Sequence, residues 1–329
     1  MDQEELQFLG FTGIFKESIK IIFSWKKIFT KITLAFIFPL SFIFLAHFQI
    51  SQLLFFNILT HQTTLNNSTA LSSPDSAKLS RVISSDWTAF WLFKLAYFTF
   101  FFVLSLLSTS AVVYTVACAY TSKTITFRNI ITVVPKVWKR LMVTFIWNFV
   151  IILAYNIVAA TLFFIWVFLI GVSISGIMIG VALLIIYLVG FVYITLVWHL
   201  ACVVSVLENV YGIRAMVKSN DLIKGKMGVA GSIFVLLVVW ILGIEFLFEK
   251  FVVLGLELNL GIRVGIGVLC SLLLLKVILL GLVAQTVIYL VCKSYHHENI
   301  DRSLLADHLE DYLEHYLPLK AKDVQLEEL

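Results

Sequence analysis

The chain has 329 residues, 60% of them hydrophobic and only 13% charged, whereas a soluble globular domain is roughly 45–50% apolar and about 25% charged. No water-soluble fold of this size hides so much apolar surface. The net charge of +4 is dispersed along the sequence and does not form the basic stripe that nucleic-acid binding requires.

The first residues carry Asp2, Glu4 and Glu5 and lack the basic segment and apolar core of a cleaved signal peptide, so membrane entry is expected through an internal span. Next, Phe11, Ile14, Phe15, Ile22, Trp25 and Phe29 share one helical face, interrupted by Ser18, with Lys16, Lys20 and Lys27 opposite. This pattern predicts an amphipathic helix near 10–30, its apolar face in lipid and its lysines toward headgroups. The device recurs near 124–140 through Phe127, Ile130, Ile131, Val134 and Trp138, where Trp138-Lys139-Arg140 echoes Trp25-Lys26-Lys27. A looser version near 208–226 runs through Val210, Ile213 and Val217 to Lys224-Gly225-Lys226.

A spanning helix needs about 20 mostly apolar residues, because hydrocarbon satisfies no backbone hydrogen bond. Six runs qualify, near 32–56, 96–120, 141–170, 177–207, 227–248 and 264–292. Residues 141–207 contain no Asp, Glu, Lys or Arg, a run long enough for two crossings, with the turn expected in the Gly- and Ser-punctuated stretch 171–176. The fold class is therefore all-α: a polytopic membrane helix bundle of about six transmembrane helices with three cytosolic interfacial amphipathic helices in a pseudo-threefold repeat. Residues 1–292 form one membrane domain, with a non-cytosolic loop over 57–90 and a cytosolic acidic amphipathic tail over 293–329.

Orientation follows from the basic residues. Eighteen Lys and Arg fall in the N-terminal segment, the second and fourth connections and the tail; five fall on the opposite side, and Lys276 lies within the last span. By the positive-inside rule both termini are cytosolic. The loop 57–90 is rich in Ser, Thr and Asn and holds two overlapping glycosylation sequons at Asn66 and Asn67, which places the chain in the secretory pathway, at the endoplasmic reticulum or plasma membrane, as a glycoprotein.

The segment CVVSVLENVYGIRAMVKSNDLIKGK, residues 202–226, and the tail from Cys292 resemble a plant family of uncharacterised six-pass membrane proteins. More distantly, the first segment is similar to the membrane domain attached to some bacterial glycerophosphodiester phosphodiesterases. In that pattern a Glu at a span end is followed by Gly, a small-apolar pair, a basic-Ser pair, and Leu then Lys-Gly. Here these are Glu208, Gly212, Ala215-Met216, Lys218-Ser219, Leu222 and Lys224-Gly225, a candidate interface motif. The resemblance implies a six-pass fold and no activity, since a phosphodiesterase barrel needs about 250 soluble residues and no such segment is present.

Lys276 is the sharpest anomaly, an ionisable residue deep in an apolar run that calls for a partner or water. Glu245 is its first candidate partner and His199 its second, although at about 1.5 Å per residue Lys276 lies roughly 20 Å below Arg263 while Glu245 lies about 7 Å below Lys250. The lysine is either a functional polar site or a structural, snorkelled residue. His199, Asn148 and Asn156 either line a polar path or hydrogen-bond between helices. The four cysteines sit in apolar stretches as packing residues, and His296, His297, His308 and His315 lack the tight spacing of a helical zinc site. No metal and no cofactor is expected.

Two functions are compatible with these residues. One is a non-enzymatic scaffold or lipid-interacting protein whose partners are the bilayer and a protein docked on the C-terminal helix. The other is a transporter or channel with a polar path near Lys276.

Overall fold

The computed structural model describes residues 6–67, 73–121, 126–169, 173–255 and 259–296, and these are all helix and connecting turn, without strands. The helices are α1 (Phe11–Ser24), α2 (Lys26–Ile32), α3 (Phe38–Asn67), α4 (Ser73–Tyr120), α5 (Phe127–Leu169), α6 (Ile174–Leu207), α7 (Ile213–Ile223), α8 (Met227–Phe248) and α9 (Leu260–Tyr295). Six helical stretches among the described residues are long and apolar enough to cross a bilayer: Lys26–Thr64, Ser80–Tyr120, Phe127–Leu169, Gly176–Leu207, Met227–Val253 and Leu260–Tyr295. The protein is a helical membrane bundle.

Several helices run well beyond the expected spans. Helix α4 has 48 residues and α5 has 43, about 70 and 65 Å at 1.5 Å per residue, against a hydrocarbon core of about 30 Å. The segment 57–90, expected as a loop, is helical up to Asn67 and again from Ser73. Polar composition there does not interrupt the backbone: 57–67 contains neither Gly nor Pro, and Pro74 falls in the first turn of α4, where a missing N–H costs nothing. Asn66 and Asn67 end α3, while Ser68 and Thr69 of their sequons lie outside the described residues. The helix expected near 124–140 is likewise continuous with the span that follows it.

The chain divides into two compact units. The first comprises Met1–Ile32, Thr109–Leu237 and Leu280–Leu329. Its core gathers Ile14 and Phe29 with Val112, Val116, Ile130, Val134, Leu141, Ala201, Val204, Leu222, Val287 and Val291, all buried. Beyond this core, α5 and α6 continue as a pair with outward-facing apolar side chains, such as Phe164, Phe168, Ile186 and Val189, the kind of surface that a bilayer or a partner protein covers.

Within the pair, Tyr155 donates a hydrogen bond to the Tyr187 carbonyl at 2.9 Å and its ring stacks on that of Tyr187 at 5.5 Å. Trp166 donates to the Gly176 carbonyl at 2.9 Å, and Ser173 caps α6 by accepting from the Gly176 N–H at 3.1 Å. A Cβ at Gly190 would stand 2.4 Å from the Tyr155 hydroxyl, so the small residue is what lets the tyrosine reach across. Gly190→Ala is expected to displace that hydroxyl and cost about 1 kcal/mol, read as a lower thermal midpoint in detergent. In a Tyr155→Phe background the cost should largely vanish.

The second unit comprises Thr33–Ser108 and Val238–Leu279. Pro39 lacks an N–H and its ring crowds the carbonyl of Ala35, and the chain accommodates it with a π turn at Thr33–Ile37. Helices α3 and α4 are tied by polar pairs: Lys94 Nζ lies 2.7 Å from His47 Nε2 and donates to Ser51 Oγ at 3.0 Å, and His61 Nδ1 lies 2.8 Å from Asp86 Oδ2. A second π turn, Glu249–Val253, ends α8, and Arg263 clamps it by donating from Nε and Nη2 to the Val252 carbonyl at 3.1 and 2.6 Å.

The three apolar faces expected to lie in lipid behave differently. In α1 the predicted face is the inward one, with Ile14 and Ser18 buried, while Ile19 and Phe23 are exposed instead. At the start of α5, Ile130 and Val134 are buried and only Ile131 and Trp138 look outward. Periodicity identifies an apolar face without saying whether lipid or protein covers it. In α7 the protein takes the opposite face, burying Ala215, Met216, Ser219, Leu222 and Ile223, and leaves Ile213 and Val217 uncovered.

Candidate functional site

The motif of residues 208–225 folds into one corner of the first unit, where α6 ends, α7 begins and α9 terminates. Glu208 caps α6. Its Oε1 accepts from the Tyr289 hydroxyl at 2.6 Å and from Lys293 Nζ at 3.0 Å, and its Oε2 pairs with Lys218 Nζ at 2.7 Å. The Glu208 side chain is only 13% exposed. Burial pushes its carboxyl up, but hydrogen bonds from Lys218 and Tyr289 and the Lys293 ammonium outweigh that and hold it below the usual carboxylate range.

Below the carboxylate a hydroxyl relay joins the elements. Ser205 Oγ and Thr144 Oγ1 stand 2.7 Å apart, and each also reaches a carbonyl acceptor, that of Ala201 at 2.8 Å and that of Arg140 at 3.2 Å. Thr144 in turn accepts the Gly212 N–H at 2.9 Å. Gly212 has φ +65°, a left-handed conformation that a residue with a Cβ adopts only at a cost, and it turns the chain into α7. Ser219 Oγ, fully buried, donates to the Val197 carbonyl at 2.6 Å, and Tyr193 bonds Asn220.

The far end of α7 is fixed as firmly. Lys224 pairs with Asp221 at 2.7 Å. His296 Nε2 stands 3.1 Å from the carbonyls of both Leu222 and Lys224, and since carbonyls only accept, this nitrogen carries the proton. Gly225 has φ +90° and lies against the Tyr295 ring, over which the Lys226 ammonium sits at 5.2 Å. Glu208, Gly212, Lys218, Ser219 and Gly225, with the Lys224 carbonyl, thus seat α7 on the first unit, while the Lys224 ammonium pairs with Asp221 on the helix's own exposed surface. Tyr289, Lys293, Thr144 and His296, which complete the corner, come from other helices and were not singled out by the motif.

Other predicted residues are not brought together in this way. Lys276 and Glu245 belong to the second unit and His199 to the first. Among the described residues, no hydrogen bond or ion pair joins Lys276 to Glu245, and Lys276 is exposed on the surface of α9 rather than turned into the bundle. His199 Nδ1 lies 2.9 Å from Gln285 Oε1, a bond between α6 and α9. Asn156 donates to the Ile152 carbonyl and accepts from Tyr187, while the buried Asn148 carbonyl oxygen has no partner in the protein. Recesses along the spans are walled by hydrocarbon: one of about 660 Å³ between α5 and α6 and another of about 440 Å³ beside Phe42 and Val268. All four cysteines are buried and none is in a disulfide. His297, His308 and His315 lie outside the described residues, as does the acidic tail beyond His296.

A family model described as a domain of unknown function (DUF8558) matches residues 1–329. Neither the search of curated proteins nor that of solved structures finds a match.

Proposed function

We propose, for a chain that belongs to this family of unknown function, a non-enzymatic role: a multi-pass membrane protein of the secretory pathway that scaffolds the bilayer by holding the surface helix α7 at the lipid interface. The observation that carries this reading is the pairing of a seated inner face with an uncovered outer one. Glu208, Ser219 and His296 anchor α7, while Ile213 and Val217 stay 45% and 56% exposed. Because α7 connects the foot of one span to the start of the next, those side chains stand where headgroups meet acyl chains, and apolar side chains there are stabilised by lipid.

The test is a depth measurement. A fluorophore at position 217 of the reconstituted protein should be quenched by nitroxides carried high on the lipid chains and shielded from aqueous iodide. Iodide quenching as strong as that of a label in the tail would sink the proposal.

Both termini are proposed to be cytosolic, from the asymmetry of basic residues. In sealed microsomes, protease should remove a C-terminal epitope and spare one inserted between Asn67 and Ser73; the opposite outcome inverts the orientation. With that orientation, Asn66 or Asn67 carries a glycan, seen as an endoglycosidase-sensitive mobility shift that is lost in the double Gln variant.

A further inference from the structure

We infer that the recess on the outer side of α7 is a binding site for the phosphate headgroup of an anionic phospholipid, an inference that rests on α7 lying at the interface. The recess holds about 600 Å³ and is lined by Ile213, Arg214, Val217, Lys218, Leu222 and His296, and by the Asp221 carboxylate, which pairs with Lys224. Among the described residues Lys218 and Lys293 both pair with Glu208, and Lys224 pairs with Asp221. Arg214 is exposed and has no hydrogen-bond or ion-pair partner among the described residues. Its guanidinium is therefore the cation at this recess that is open to an anion.

A planar guanidinium left free offers two parallel N–H donors in the fork that matches phosphate oxygens. Since Nε2 of His296 is committed to carbonyls, its Nδ1 is the nitrogen left to face a ligand in the recess. The apolar stripe decides between a lipid and a free phosphate. Ile213 and Val217 lie one turn apart on the exposed face and flank Arg214, so a headgroup bound there lays its acyl chains along the apolar stripe that α7 presents to the bilayer. A soluble phosphate gains nothing from that stripe. The acidic tail that follows His296 is the other anion within reach, and the test separates the two.

The full chain is purified in a zwitterionic detergent, and binding of phosphatidic acid, phosphatidylcholine and soluble glycerol 3-phosphate is followed by native mass spectrometry. Phosphatidic acid should bind at least several-fold tighter than phosphatidylcholine. Arg214→Gln should weaken phosphatidic acid by about five-fold, the share of one basic side chain at an anionic surface, and Arg214→Lys should recover part of it. Arg214 is exposed and makes no hydrogen bond or ion pair among the described residues, so the variant's thermal midpoint without lipid should match the parent. Equal affinity for the two lipids, indifference to Arg214→Gln, or glycerol 3-phosphate competing as well as the lipid would each overturn the inference. A photo-cross-linker at Val217 in vesicles containing phosphatidic acid should capture lipid. Capture of residues 297–329 instead would assign the recess to the tail and reject the lipid. The depth measurement of α7 is independent: α7 can lie at the interface while phosphatidic acid shows no preference, which defeats this inference alone.

Discussion

Replacing Glu208 by Gln is expected to destabilise the protein by about 3 kcal/mol, the cost of leaving buried ammonium groups without their counter-ion. Lys293 and Lys218 are 18% and 33% exposed and converge on one carboxylate with Tyr289, so removing its charge takes this counter-ion from two cations rather than one. Lys218→Met alone should cost less, because Lys293 and Tyr289 still satisfy Glu208. Combining the two changes should cost less than their sum, since the Met variant no longer holds one of those charges. Additive thermal midpoints in detergent would mean that Glu208 and Lys218 do not couple.

The same cluster predicts a pH dependence whose sign is fixed. The carboxyl is held below its ordinary value, so its contribution is fully present above the unfolded value of about 4.3 and is lost as pH falls through the lower folded value. The gap in stability between parent and Glu208→Gln should be constant from neutral pH down to the ordinary carboxylate range and then close below it. A gap that opened on acidification would contradict the assigned direction.

How much of this was legible depends on the range of each interaction. Class and membrane character follow from local composition: runs of about 20 apolar residues leave a helix as the spanning solution, and α8 at Met227–Phe248 is such a run bounded by Lys226 and Glu249. Where polarity was taken as a proxy for irregular backbone the inference fails. Residues 57–67 are polar because they leave hydrocarbon, yet helix α3 runs through them, and the ties from His47 to Lys94 and from His61 to Asp86 span 47 and 25 residues, beyond any local pattern.

The candidate site divides the same way. Glu208, Gly212, Ser219 and Gly225 were marked by a contiguous motif, and contiguity is why they could be found. Tyr289 and Lys293, 81 and 85 residues further on, share one face of α9 at i,i+4 spacing, and nothing in that spacing names a partner. Lys276 drew attention because burying charge is costly. Its depth relative to Glu245 already required offset helices for direct pairing, and no such pair forms.

Substitutions at Gly225 should rank Asn, then Ala, then Val in increasing damage, with Val costing about 3 kcal/mol. Two effects act there. At φ +90° a side chain meets its own backbone, at about 1–2 kcal/mol for an ordinary residue, less for Asn and more for a β-branched one. A Cβ would also stand 2.5 Å from the Tyr295 ring, but that ring is 42% exposed and can swing aside, so backbone strain should dominate. Gly225→Ala should therefore cost nearly the same in a Tyr295→Ala background, whereas a cost that vanished there would make the ring contact the cause. The turn cannot relax cheaply, because His296 holds the carbonyls of Leu222 and Lys224 on its near side and α8 begins at Met227 just beyond. Strain at Gly225 should accordingly reach α7, and the fluorophore at position 217 reports it: in Gly225→Val its shielding from iodide should fall, while in Gly225→Asn it should match the parent. Unchanged midpoint and unchanged shielding in the Val variant would show that this turn does not seat the helix.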